Sequence, residues 1–134
     1  MKILLDTHIL IWLHTNDSQL SEKARKIILD PMNTVYYSAV NIWEIQIKFQ
    51  KSPKDFPYDP KVIMELNSQA GIRCVPVLPQ HSLALSTLSY PEDAPAHKAP
   101  FDRMLICQAK TENMLLMTHD SLISNYGEPC VLTV

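Results

Sequence analysis

The run of apolar positions changes period at Asp6. Ile3, Leu4 and Leu5 form an unbroken apolar triplet, the pattern of a short strand buried on both faces rather than one alternating between core and water. Beyond Asp6, the apolar residues Ile9, Leu10 and Leu13 recur at three and four positions, which is helical spacing. A strand that stops at an acid and turns directly into a helix sets that carboxylate at the carboxyl edge of a sheet, where open α/β folds bind ligands.

The same alternation continues along the chain. Residues 21–29 carry mixed charges and then apolar residues at helical spacing, with Ser18 or Ser21 available as the N-cap and Asp30-Pro31 as the stop. Residues 34–37 are β-branched and aromatic and predict a second strand, after which Ser38 caps a helix reaching about Lys51. On that helix Val40, Trp43 and Ile47 share one face and Ile42, Ile45 and Phe49 the opposite one, so it is expected to lie buried between layers. Pro53 and Pro57 mark a loop, and Asp59-Pro60 opens a helix that Gly71 terminates. A third strand is predicted over 72–75, a short helix over 80–87 and an exposed, aperiodic loop over 91–99. Residues 100–109 then read as a helix with Pro100 near its first position and Asp102 in its first turn. Residues 115–117 form a strand ended by Thr118-His119-Asp120, much as the first is ended by Asp6, and 131–134 a last strand. Alternating strands and helices imply βαβ units, a mostly parallel sheet and a three-layer α/β/α domain spanning 1–134.

Composition removes several function classes. Only Gly71 and Gly127 occur, so there is no Gly-rich loop to cradle a nucleotide phosphate, and P-loop or dinucleotide chemistry is excluded. Cys74, Cys107 and Cys130 are odd in number and far apart, unlike a disulfide framework or a zinc knuckle; they are expected as small core residues. The five histidines show no HExxH or CxxH-type spacing, so surface or capping roles are expected of them. The apolar runs near the N-terminus are too short for a signal-peptide core or a membrane span, and a cytosolic location is expected. The 12 basic and 14 acidic residues nearly balance, which leaves the placement of the acids as the informative quantity.

If Leu4 and Leu116 lie on neighbouring parallel strands, Asp6 and Asp120 emerge side by side at one sheet edge. The Pro-rich loop can bring Asp102 back to that edge. Glu44, roughly 10 Å along its helix, stays within reach. Each acid also has an ordinary role. Asp6 can cap the first helix, Asp102 can offset a helix dipole, Asp120 can cap a helix starting at Ser121, and Glu44 can sit in solvent. Together, however, they would repel and raise one another's pKa unless a cation sat among them. All-oxygen ligation suits Mg²⁺ or Mn²⁺, and a water bound to such an ion can attack phosphorus. The chemistry indicated is phosphodiester hydrolysis.

Four separated blocks carry a family resemblance: Leu4-Leu-Asp6-Thr-His-Ile-Leu-Ile-Trp12, Ser38-Ala-Val-Asn-Ile-Trp-Glu44-Ile, Pro100-Phe-Asp102-Arg-Met-Leu-Ile-Cys-Gln-Ala109 and Leu116-Met-Thr118-His-Asp120. In this order they resemble PIN domains, and are most similar to the VapC-like toxin branch. The resemblance implies a metal-dependent endoribonuclease, the toxin of a toxin–antitoxin pair with a cognate antitoxin as partner, often a homodimer. By the same match Asp6, Glu44, Asp102 and Asp120 correspond to the family's catalytic, metal-binding acids, with Thr7 and Thr118 as auxiliary positions beside them. The chain departs from the pattern at Ala99, where comparable members often read His-Arg-Asp-Pro-Phe-Asp-Arg and carry a further carboxylate. Subtracting the four acids from 14 leaves 10 against 12 basic residues. Lys48, Lys51, Lys54, Lys98 and Arg103 are the candidates for RNA phosphate contacts. Two other readings stay open: a PIN-like module that binds RNA or protein without cutting, and a phosphoacceptor domain. The second lacks the adjacent acidic pair and the late lysine that its chemistry wants.

Overall fold

Ile3, Leu4 and Leu5 are completely excluded from solvent, because β1 (Lys2–Leu5) is the central strand of the sheet in the computed structural model, which describes residues 1–97 and 99–134. The other strands are β2 (Thr34–Ser38), β3 (Arg73–Val75), β4 (Leu115–Thr118) and β5 (Val131–Thr133), and all five run parallel in the order β3-β2-β1-β4-β5. Leu4 pairs with Leu116, the register expected from the two apolar runs, and Leu5 with Met117. Strands pair outward from β1 in both directions, so the strand order reverses between β1 and β4.

The helices are α1 (Thr7–Thr15), α2 (Glu22–Leu29), α3 (Ala39–Lys51), α4 (Pro60–Gln69), α5 (Pro79–Leu83) and α6 (Pro100–Thr111). Alternate residues of β1 feed opposite faces of the sheet. Ile3 and Leu5 pack with Ile9, Leu10, Ala24, Ile28 and Ile63 from α1, α2 and α4, whereas Leu4 and Leu116 pack with Leu105, Ile106 and Ala109 of α6. The result is the three-layer α/β/α arrangement, its sheet parallel throughout. Burying each leucine or isoleucine among them contributes about 1.5–3 kcal/mol.

Local signals set the boundaries. Ser21 caps α2 by accepting from the Ala24 N–H at 3.2 Å, and Asp59 caps α4 by accepting from the Lys61 N–H at 2.9 Å. Gly71 follows α4 at φ +73°, the left-handed conformation that stops a helix without a Cβ penalty.

Two expectations about burial fail. Val40 and Ile45 are buried in the two separate cores, but Trp43 is 62% exposed and Ile47 41%. Helix α3 starts beneath α6 and leaves it. Trp43 meets α6 through the edge of the Phe101 ring, 5.0 Å between centroids, and Ile47 lies one turn beyond. Cys74 is exposed while Cys107 is buried; Cys74 belongs to β3, which stands at the edge of the sheet.

Candidate active site

The reversal of strand order opens a crevice at the carboxyl ends of β1 and β4, the position where parallel sheets present side chains to a ligand. A cleft of about 420 Å³ lies there, lined by Asp6, Glu44, Asp102 and Asp120 together with Lys48 and the aromatic groups His8, Trp12 and His119. The four acids expected from the sequence thus meet in one place. A cleft of about 590 Å³ beside Met1 and Lys2 lies at the opposite edge, where the Lys110 ammonium already pairs with Glu128 at 2.8 Å.

Asp6 follows β1 and is the N-cap of α1, with its Oδ1 accepting from the Thr7 N–H at 2.7 Å. Its Oδ2 accepts from the Thr118 hydroxyl at 2.7 Å, and the same hydroxyl oxygen accepts from the Asp120 N–H at 3.0 Å. Thr118 therefore ties the acid after β1 to the acid after β4. Asp6 is 4% exposed. Burial pushes its carboxyl above the ordinary 3.8, against the lowering effect of the Thr118 hydroxyl and the Thr7 amide.

Glu44 is buried, and both of its carboxylate oxygens are engaged. Oε1 accepts from the Thr7 hydroxyl at 2.7 Å and Oε2 from the Lys48 ammonium at 2.6 Å. Of the two readings open for Glu44, the structure excludes the solvated one: the side chain turns inward one turn before its lysine partner. Asp102 lies in the first turn of α6. Its carboxyl is pushed up to about 7, by burial first and then by the charges of Asp6, Glu44 and Asp120, with Lys48 acting the other way. Asp120 caps the turn that follows β4, its Oδ1 accepting from the Leu122 N–H at 2.9 Å. The capping roles of Asp6 and Asp120 and the first-turn position of Asp102 thus coexist with their convergence on the cleft.

The donor set suits a hard cation. Single ligand atoms from His97, Asp102 and Asp120 lie within 4.8 Å of one another. Hydrogen bonds among the described residues fall on Asp102 Oδ2 and Asp120 Oδ1, which leaves the second oxygen of each for an ion. Clustered, partly buried carboxylates with raised proton affinity fit a divalent metal with oxygen ligands.

The basic residues separate. Lys48 enters the cleft as the partner of Glu44, and Arg103 lines the neighbouring apolar hollow with Trp43 and Phe101. Lys51 and Lys54 are exposed and do not line the cleft, and Lys98 lies outside the described residues.

Two sets of residues escaped sequence reasoning. The first is a buried polar chain under the cleft. Gln108 Oε1 accepts from the Ser38 hydroxyl at 2.5 Å, the Asn41 carbonyl oxygen accepts from the Ser38 N–H at 2.6 Å, and the Asn41 amide donates to the Thr7 hydroxyl at 3.0 Å. Its visible signals were an Asn three residues after a Ser cap, and a Gln inside the apolar face of α6. The second is histidine placement. His81 has the expected capping role, its Nδ1 accepting from the Leu78 N–H at 2.9 Å, yet it is fully buried. His97, expected at the surface, is instead bonded to Asp102 through Nε2 at 3.2 Å.

Comparison with known proteins agrees with this geometry. A family model described as "PIN domain" matches residues 3–129. A chain of VapBC2 from Rickettsia felis, in a crystal structure bound to a DNA fragment from its promoter, has a TM-score of 0.70 at 17% identity over 100% of this chain and 98% of its own. A chain of VapBC-1 from nontypeable Haemophilus influenzae has a TM-score of 0.61 at 22% identity over 90% and 87% respectively. No curated protein matches the sequence. With the family match running from the first strand to the approach of the last, and the same fold in both solved structures, the chain belongs to the PIN domain family.

Proposed function

We propose that residues 1–134 act as one metal-dependent endoribonuclease, the toxin of a type II toxin–antitoxin pair. One observation carries the reading: Asp6, Glu44, Asp102 and Asp120, from four separate elements, converge on a single cleft at the strand-order reversal. Asp102 and Asp120, with Asp6 and Glu44 beside them, would hold Mg²⁺ or Mn²⁺. Bound there, such an ion supplies an activated water and offsets the charge that develops on the phosphoryl oxygens.

The chain's own residues do the positioning. The Thr7 amide and the Thr118 hydroxyl fix both oxygens of Asp6, and Thr7 fixes Glu44. We assign phosphate contacts to Lys48, inside the cleft, and to Arg103, in the neighbouring hollow. Trp12, flanked by His8 and His119 at 5.9 and 5.4 Å between ring centroids, offers faces on which unpaired bases stack, and this favours single-stranded RNA.

A protein partner is supported by the exposed apolar side chains Trp43, Ile47, Val77 and Leu83, which solvent alone does not favour. The fold neighbours were solved as VapBC assemblies. We assign this surface to contacts with a cognate antitoxin and with a second copy of the chain in a homodimer. No helix among the described residues is long and apolar enough to cross a membrane, and we place the protein in the cytoplasm with its RNA.

Purified protein should cut total RNA with Mn²⁺ or Mg²⁺ and stop on chelation. Asp6→Asn, which keeps an oxygen to cap α1, should abolish cutting. Undiminished activity of that variant, in a preparation shown to be nuclease-free, would refute the mechanism. The close Lys48–Glu44 pair and the absence of a carboxylate at Ala99 favour a second reading, a module that grips RNA or protein without cutting. Measurable RNA binding with the RNA intact after long incubation in Mn²⁺ selects it.

A further inference from the structure

The loop before α6 exposes Pro91, Glu92, Asp93, Pro95 and Ala96, yet the side chain of His97 is only 4% exposed. Both of its ring nitrogens are engaged, Nδ1 with the Tyr126 hydroxyl at 2.7 Å and Nε2 with Asp102 Oδ2 at 3.2 Å. The rings of Tyr90 and Tyr126 pack around it at 6.1 and 5.4 Å between centroids. Tyr90 is itself held, since its hydroxyl donates to the Pro95 carbonyl and accepts from the Asn125 amide. Burial, two hydrogen bonds and two aromatic neighbours therefore fix the plane of the imidazole.

The partners also decide which nitrogen carries the proton. A neutral imidazole has one donor and one acceptor nitrogen, an ionised carboxylate only accepts, and a phenol hydroxyl does either. With a neutral imidazole and an ionised Asp102, the state a bound cation favours, the assignment that satisfies every atom has the Tyr126 hydroxyl donating to Nδ1 and Nε2–H donating to Asp102 Oδ2. Carboxylates that bind metals are commonly oriented by such donors, and loss of the donor weakens metal binding.

We propose that His97 is a positioning residue for the metal site: Tyr126 sets its tautomer, and its Nε2–H holds one oxygen of Asp102 so that the other is presented to the cation. The inference rests on the metal-dependent reading above and extends it to a residue outside the four acids. Ala99 makes the role more pointed, since it lines the cleft without a carboxylate to offer, and the polar contact the loop makes with the acids comes from His97.

The test is Mn²⁺ titration of the full chain, followed by electron paramagnetic resonance, with no RNA present. His97→Phe keeps a ring between Tyr90 and Tyr126 but removes the donor, and its Mn²⁺ affinity should fall about 10–100-fold. His97→Gln places an amide N–H near the position of Nε2 and should stay within a few-fold of wild type. A role in packing alone gives the reverse order, with Phe tolerated better than Gln, and that order overturns the proposal. Wild-type affinity in His97→Phe overturns it as well. Tyr126→Phe removes one hydroxyl, keeps the test open even where the His97 variants fold poorly, and should weaken Mn²⁺ binding by a few-fold; no change overturns the tautomer assignment.

Pulsed measurements on the wild-type complex should show no nitrogen directly bound to Mn²⁺. A strong imidazole coupling that vanishes in His97→Phe means direct ligation and overturns the positioning role. Asp102→Asn separates the two levels of argument. If it loses Mn²⁺ while the His97 and Tyr126 variants retain it, the metal reading stands and this proposal falls. A wild-type chain that binds no Mn²⁺ takes both down.

Discussion

Asp102→Asn should stabilise the metal-free protein while abolishing its cleavage of RNA. The carboxyl of Asp102 is raised from 3.8 to about 7 by burial and by its acidic neighbours, so the folded chain holds this proton more tightly than the unfolded chain does. Between about pH 4 and pH 7 the unfolded state has released the proton and the folded state has not. Raising the pH through that window therefore costs stability, with little further change above it. Each tenfold difference in proton affinity corresponds to about 1.4 kcal/mol, which puts the whole effect on the order of 2–4 kcal/mol once the partial exposure of the group is allowed for. Asn carries no charge and keeps an oxygen for the His97 Nε2–H. In chelator, the two proteins should unfold at similar urea concentrations near pH 4.5, with the variant ahead by on the order of 2–4 kcal/mol at pH 8. At roughly 4 °C per kcal/mol, its melting temperature should then be about 10 °C higher. Mn²⁺ should close the gap by stabilising the wild type alone. A variant no more stable than wild type at pH 8, or a gap that does not grow between pH 5 and pH 8, would refute the electrostatic account.

Other outcomes follow from single contacts. Thr118→Val removes the hydroxyl that donates to Asp6 and accepts from the Asp120 amide; it should cost about 1–3 kcal/mol in urea unfolding and weaken Mn²⁺ binding, and unchanged values in both would show the bridge to be unimportant. Trp12→Ala should raise KM for single-stranded RNA by about tenfold, from the 1–3 kcal/mol a stacked base contributes, and leave kcat nearly intact; a fall confined to kcat would place Trp12 elsewhere in the reaction. Cys74 is exposed and Cys107 buried, with burial pushing the Cys107 thiol up. A thiol reagent should therefore label Cys74 in the native protein and reach Cys107 only on unfolding, and equal rates would contradict the packing of α6.

Much of this arrangement was readable before the fold was known, because the decisive signals were local. Two apolar runs, each ended by an acid, set Asp6 and Asp120 at one edge on the condition that Leu4 and Leu116 lie on neighbouring strands, and they do. Pro100 and the aperiodic loop before it allowed Asp102 to return there without requiring it. The failures share a different cause. A helical wheel shows that Val40, Trp43 and Ile47 lie in a row, but not how far the opposing layer extends, and here it stops at Phe101. The hydrogen bond from Ser38 to Gln108 spans 70 residues, a separation over which no spacing rule speaks. His97 was passed over because ligand motifs count residues along the chain, whereas its partners, Asp102 and Tyr126, come from a helix start and a turn after β4.

The hydroxyl contact between Thr118 and Asp6 spans 112 residues, and that distance has a consequence for how the protein is made. During synthesis β1 precedes β4, and one of its flanks has no partner until β4 has been made. Until then Asp6 lacks the Thr118 hydroxyl that orients it, Asp120 has not been made, and the sheet has no crevice. Because β1 and its neighbour β4 stand more than a hundred residues apart, the cleft cannot form locally: it exists only once that long-range pairing is made, and whatever loosens the pairing dismantles the site with it.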